Sequence, residues 1–201
     1  MHRCRTAFLG QIQKPKNILL LGEGHGRSLV EFRRRFADAQ ITCVDASAGM
    51  LAQSRQQLTR SNLEANHVEF INADALNWVP APHHYDLVVT NFFLDCFRSD
   101  QLKAIISKVA ASATPDASWL LADFQIPDEG LRLIRSRLIL WMLYSFFRAT
   151  TRLPAHKLTK PDSLLEEAGY TLHRRVESEW GLLHSDWWRR INSTTLCDQI
   201  I

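Results

Sequence analysis

The stretch that most constrains this chain is Leu19-Leu20-Leu21-Gly22-Glu23-Gly24-His25-Gly26-Arg27-Ser28. A compact apolar run, Asn17–Leu21, stops at alternating glycines, and a segment with apolar residues at Leu29, Phe32 and Phe36 follows. That spacing predicts a strand, a tight turn and a helix over Ser28–Phe36 in immediate succession. Glycines in such a turn accept positive φ and let the backbone approach a ligand closely. The helix behind them offers unpaired N–H groups and a partial positive charge. Asp45 ends the next apolar run, about 20 residues on, where a carboxylate meets both hydroxyls of a ribose. Turn and acid together predict a ligand containing adenosine.

The remaining order of elements is regular. Ile41–Val44 reads as the second strand and Ala48–Leu63 as a helix with Ser47 at its N-cap. Strands are expected over Val68–Ile71, Tyr85–Thr90 and Ser118–Ala122, with a helix over Gln101–Ala113 that Pro115 stops. Five alternations of strand and helix with short links predict a Rossmann-like, doubly wound α/β sheet, whose ligand lies outside the C-terminal strand ends. Pro161–Ala168 reads as a short helix ended by Gly169, and Tyr170–Glu177 with Leu182–Arg190 as a closing antiparallel hairpin. Residues 1–201 read as a single domain. Residues 1–16 form an N-terminal extension, a polar tail or a short first helix, and residues 125–160 a helical insertion between strands five and six.

Composition narrows the class. Hydrophobic residues make up 46% and charged residues 22%, which suits a packed core rather than disorder. The net charge of +3 is spread over scattered arginines and forms no continuous track, so no nucleic acid partner is expected. The four cysteines include no CxxC pair, which fits a reducing, cytoplasmic setting. No apolar run approaches the roughly 20 residues of a membrane helix.

Further candidates surround the turn. Asp74 follows the third strand, where it accepts from an adenine amine or caps the short helix near Leu76; Ala75 lies beside it. Ala46 and Met50 follow Asp45, and Met50 covers an adenine face or joins the helix core. Asn91, Phe92 and Phe93 end the fourth strand, between the expected ligand and a second substrate, and Asp95 caps or solvates the next helix. His25 lies within the turn. His184 and Asp186 share one face of the last strand, either as a proton acceptor and its neighbour or as a surface pair. His83 and His84 read as solvated loop residues, and no metal-ligand spacing is present. Residues 131–148 carry an apolar stripe flanked by arginines, with Trp141 and Tyr144 on other faces. Four roles fit it: a lid over a hydrophobic pocket, a membrane-interface helix, a homodimer face, or a helix packed on the sheet.

Taken together, NILLLGEGHGRS, ITCVDASAGMLAQSRQ, VEFINADAL, YDLVVTNFF and WLLADF, with the closing LLEEAGYTLHRRVESEWG and LLHSDWWRR, resemble the class I S-adenosylmethionine-dependent methyltransferases. The resemblance covers about residues 17–190. It implies a seven-stranded sheet of order 3-2-1-4-5-7-6 with an antiparallel last strand, a hairpin that typical dinucleotide dehydrogenases lack. It implies S-adenosyl-L-methionine as cofactor, with Gly22, Gly24 and Gly26 along the methionine part, Asp45 on the ribose, Asp74 near adenine and Asn91 beside the methionine. The family turn commonly carries an acid two residues before its first glycine; here that residue is Leu20, and Glu23 stands in for it. The same glycine pattern occurs in methyltransferases resembling the tellurite and thiopurine types. Arg27 is placed to pair with the methionine carboxylate or to solvate the helix start. The implied chemistry is direct in-line methyl transfer to a small, hydrophobic or lipid-like acceptor bounded by Phe93, Trp141, Tyr144 and His184. His184 and His25 are the candidate bases where a proton must leave. Alternatives from other classes are an NAD-dependent oxidoreductase and a non-catalytic protein that meets a membrane or partner through residues 131–148.

Overall fold

The computed structural model describes residues 2–125 and 160–190. Seven strands form one sheet in the order β3-β2-β1-β4-β5-β7-β6. They are β1 (Asn17–Leu21), β2 (Gln40–Asp45), β3 (Val68–Asn72), β4 (Tyr85–Asn91), β5 (Ala113–Phe124), β6 (Tyr170–Ser178) and β7 (Leu183–Arg190). The first five pair in parallel, and β7 runs antiparallel between β5 and β6. The helices are α1 (His2–Arg5), α2 (Arg27–Arg35), α3 (Ala48–Arg60), α4 (Ser99–Ser112) and α5 (Asp162–Glu167). The doubly wound sheet, its strand order and the antiparallel last strand agree with the sequence reading. The insertion over residues 126–159, including Trp141 and Tyr144, lies outside the described residues.

Strand alternation divides the core into two layers. Leu19, Leu21, Val88, Trp119, Leu121 and Trp188 face α4 and α5 and pack with Leu102, Ile105, Ile106 and Leu165. Ile18, Leu20, Leu87, Val89 and Leu120 point the other way and meet Leu29 and Phe32 of α2. Burying each of these large side chains contributes about 1.5–3 kcal/mol. Phe8, Leu9 and Ile12 complete the second layer, so the N-terminal segment is the short helix of the two expected forms and part of the core. Three apolar positions in one turn of chain were too few to reveal that as a periodic pattern.

β5 is longer than Ser118–Ala122. It begins at Ala113, directly after α4, and runs through Pro115 to Phe124. Its pairing with β4 slips between Tyr85↔Ala113 and Leu87↔Ser118, and the exposed Pro115 sits in that irregularity, where no ladder hydrogen bond is required of it. The extension at the other end carries Asp123 to the C-terminal edge of the sheet.

Candidate active site

Gly22, Gly24 and Gly26 all have positive φ, at 66°, 65° and 77°. Two of them are closed in by packing. A Cβ at Gly22 would overlap the Phe93 ring, and one at Gly26 would lie 2.7 Å from Ser54 Cα. At Gly24 the space is open, with no atom within 4 Å of the Cβ position. The turn is thus anchored at its first and third glycines and exposes backbone at its middle one. Ser54 Oγ, fully buried, donates to Gly24 O at 2.8 Å and fixes that exposure from α3.

Asp45 reaches this turn from β2. Its Oδ2 accepts from Gly24 N at 3.3 Å and its Oδ1 from Ser47 N at 2.8 Å. Each oxygen keeps a lone pair for a further donor. Ser47 caps α3 through Met50 N at 3.3 Å, as its position in the sequence predicts. Ala46 is exposed at the rim and Met50 half-buried in the first turn of α3. Asp74 is exposed and serves its own turn, accepting from Leu76 N at 2.9 Å and from Asn77 Nδ2 at 3.1 Å. Lys108 of α4 holds the adjoining loop by donating to the carbonyls of Ala75 and Leu76 at 3.1 and 2.6 Å.

Glu23 is turned inward. It is 3% exposed, and its Oε1 accepts from Ser28 N at 2.6 Å and Leu29 N at 3.1 Å. It therefore caps α2, whose N-cap Gly26 has no side chain to do so. Burial pushes the Glu23 carboxyl up; the Leu29 amide, the Arg5 charge and Ser28 pull against that. Its Oε1 serves the helix, so Glu23 is not turned out as a replacement for an acid at Leu20, which is itself buried in β1. His25 and Arg27 point away as well. They line a polar groove of about 360 Å³ with Gln53, Gln56, Gln57 and Arg60, and His25 Nδ1 lies 2.5 Å from Gln53 Oε1. His25 and His184 line separate cavities.

The end of β4 is strained. Phe92 has φ +56°, rare for a bulky residue and costing about 1–3 kcal/mol. Its N–H donates to Ala122 O at 2.6 Å, its ring packs 5.2 Å from Phe124, and Arg5 of α1 stacks over it at 5.1 Å. Asn91 is buried and donates to Ser28 Oγ at 3.4 Å, tying β4 to the start of α2. Phe93 is half-buried between Gly22 and Phe97, with ring centroids 5.0 Å apart. Asp95 lies in a 3-10 turn over Leu94–Cys96. It does not cap α4, whose first turn is closed by Gln101 Oε1 accepting from Arg98 N.

Across β5 and β7 lies a second buried polar group. Asp123 pairs in register with His184, and both are buried, as is Asp186. The surface-pair reading of His184 and Asp186 does not hold. Arg175 of β6 covers Asp186 in a fork, Nε to Oδ1 and Nη2 to Oδ2 at 2.7 Å each, and reaches Asp162 at 2.8 Å. Burial alone would raise the Asp186 carboxyl; Arg175 and His184 more than offset it, and it ends lowered. Burial, then the Asp95 charge, push the Asp123 carboxyl well above the carboxylate range, and Asp95 is raised by burial while the two share a hydrogen bond. Among the described residues, no group of side chains is arranged to hold a metal, and no helix is long and apolar enough to cross a membrane.

The strand order, the open glycine turn at β1 and the acid at the end of β2 coincide in one arrangement. This is the class I S-adenosylmethionine-dependent methyltransferase fold. A methyltransferase domain family model matches residues 18–116. Trans-aconitate 2-methyltransferase of Yersinia pestis (strain Pestoides F) is 40% identical over 70 residues, 35% of this chain and 24% of that protein. The N-methyltransferase NodS from Bradyrhizobium japonicum, solved with S-adenosyl-L-homocysteine, superposes with a TM-score of 0.68 at 15% identity, over 94% of this chain and 83% of that one. The mitomycin 7-O-methyltransferase MmcR superposes at 0.66 with 20% identity, over 92% of this chain and 50% of that one. The chain spans about a quarter of the Yersinia protein's length. The family-model match stops at 116, near the start of β5, so Asp123 and the polar group on β6 and β7 lie beyond it.

Sequence reasoning placed the turn, Asp45 and Asn91 in one neighbourhood. It missed Ser54, Arg5 and Asp123. The signal for Asp123 was present, an acid directly after the apolar run WLLA.

Proposed function

We propose that this chain binds S-adenosylmethionine across the C-terminal ends of β1, β2 and β4 and catalyses transfer of its methyl group to a small molecule. The observation that carries the reading is the open backbone at Gly24 with the Asp45 carboxylate beside it. Gly22 and Gly26 are consumed by packing, so the turn's free face is built for a ligand rather than for the core. Asp45 would take the ribose diol, Met50 one adenine face, and the backbone from Gly22 to Gly24 with Asn91 the methionine part. The donor supplies a sulfonium-bound, electrophilic methyl group.

The protein's own work is alignment and exclusion of water. Phe92, Phe93 and Phe124 offer an apolar wall at the ends of β4 and β5, which supports an acceptor with an apolar or aromatic body. The strained φ at Phe92 supports a positioning role there, because such strain persists where the surroundings impose it. The similarity to trans-aconitate, mitomycin and NodS-type methyltransferases supports small-molecule methylation without fixing which atom is methylated.

Calorimetric titration tests the reading. S-adenosylhomocysteine should bind, NAD should not, and Asp45→Ala should weaken binding at least tenfold. Preferential binding of NAD, or no binding of either, would overturn it.

A further inference from the structure

We infer that Asp123, with Asp95 behind it and His184 beside it, forms the hydrogen-accepting end of the acceptor site, fitted to a substrate that presents an N–H or O–H rather than a carboxylate. The inference rests on the methyl-transfer reading above and deepens it.

Two features meet at this point. The first is placement. β5 carries Asp123 to the C-terminal edge of the sheet, one residue beyond Ala122, whose carbonyl holds the strained Phe92. The second is a cavity of about 30 Å³ lined by Asp123, Phe124, Lys160, Asp162, Arg175 and His184. That volume holds a water molecule, or the hydroxyl or amino end of a substrate. His184, also buried, belongs to this wall, with its Nδ1 3.0 Å from Asp186 Oδ1.

The charges show what the site lacks. Lys160 and Arg175 are the cations of the cavity wall, and Arg175 is bound to two carboxylates. Asp123 Oδ1 accepts from the Phe124 amide at 2.8 Å, and the carboxyl otherwise faces another acid, Asp95. Of two carboxyls that share a hydrogen bond, Asp123 is the one raised further and holds its proton more tightly, and the pair keeps an acceptor oxygen. At the Asp123 oxygen a third carboxylate would be repelled, whereas a hydroxyl or amine supplies the hydrogen the pair lacks. A buried acid beside another acid also costs stability, and cores keep such groups where function requires them.

In the reaction, a lone pair on the acceptor N or O forms the bond to the methyl carbon while the C–S bond breaks and its electrons remain on sulfur. The acceptor's proton passes to the Asp123 oxygen and from there to solvent. The products are the methylated acceptor, the neutral thioether and one proton.

Two measurements on the full chain test this. In protein labelled with ¹³C-aspartate and saturated with S-adenosylhomocysteine, the Asp123 carboxyl resonance is followed while p-cresol, benzylamine or trans-aconitate is added. A saturable shift with p-cresol or benzylamine and none with trans-aconitate is expected, and the two responding arms distinguish O–H from N–H. A response to trans-aconitate alone, or to none of the three, overturns the inference. In the second, Asp123→Asn should raise the melting temperature at neutral pH by about 2–4 °C, because the amide removes a buried acid that serves chemistry rather than folding. A lowered melting temperature would make Asp123 structural and overturn the assignment. Failure of S-adenosylhomocysteine to bind in the first place would count against the methyltransferase reading instead.

Discussion

The two ends of this site satisfy their carboxylates in different ways. At the glycine-turn end, Glu23, Asp45 and Asp74 each accept from main-chain amides within one turn or the neighbouring strand. At the far end, Asp186 and Asp162 depend on Arg175 from another strand, and Asp123, beyond its one amide from Phe124, on Asp95. Amides belong to the backbone and are present whenever the fold is. Side-chain partners must be supplied by residues far away in sequence. The first end is therefore held by backbone amides and the second chiefly by side chains of other elements.

The largest effect that separates them is Asp186→Ala. It strands the half-buried Arg175 beside Asp162 alone and should cost about 3 kcal/mol in urea unfolding, the low end for a broken buried pair because Asp162 and water remain. Asp45→Ala in the same assay should cost under about 1 kcal/mol, since the amides it serves stay near solvent. Equal losses would erase the distinction.

This contrast also explains what could be read in advance. Asn17–Leu21 and Ser47 were legible because strand, turn and cap are local patterns. Asp45 was legible by its distance from the glycines. Glu23 was read as standing in for the acid missing at Leu20, and its bonds to the Ser28 and Leu29 amides were not legible, because the sequence does not say whether a side chain turns toward ligand or helix. His184 and Asp186 were correctly put on one face, yet their burial depends on Arg175 and α5, which strand periodicity does not report. Asp123 gains its meaning only from Asp95, which the 3-10 turn after β4 brings to it.

A middle-sized effect sharpens the glycine turn. Gly26→Ala must displace Ser54 backbone as well as hold φ +77°, and should cost about 2–3 kcal/mol. Gly24→Ala meets open space and carries only the φ cost of about 1–2 kcal/mol, while weakening S-adenosylhomocysteine binding more than its stability loss accounts for. Parallel denaturation and titration of the two variants check this.

The smallest effect is on the pH dependence of stability. Asp123 has a raised value in the folded state, so folding holds its proton more tightly than the unfolded chain does. Its contribution is complete below about pH 4 and is lost as pH rises through the folded value. Thermal melts from pH 4 to 8 should show that loss in the parent chain and a shallower one in Asp123→Asn. Glu23, also raised, keeps part of the slope in the variant.

The most direct test is S-adenosylhomocysteine affinity measured side by side in Asp45→Ala and Asp123→Asn. The account predicts at least a tenfold loss in the first and a change within about twofold in the second. Retained affinity in Asp45→Ala with loss in Asp123→Asn would contradict it, placing the donor at the wrong end of the sheet.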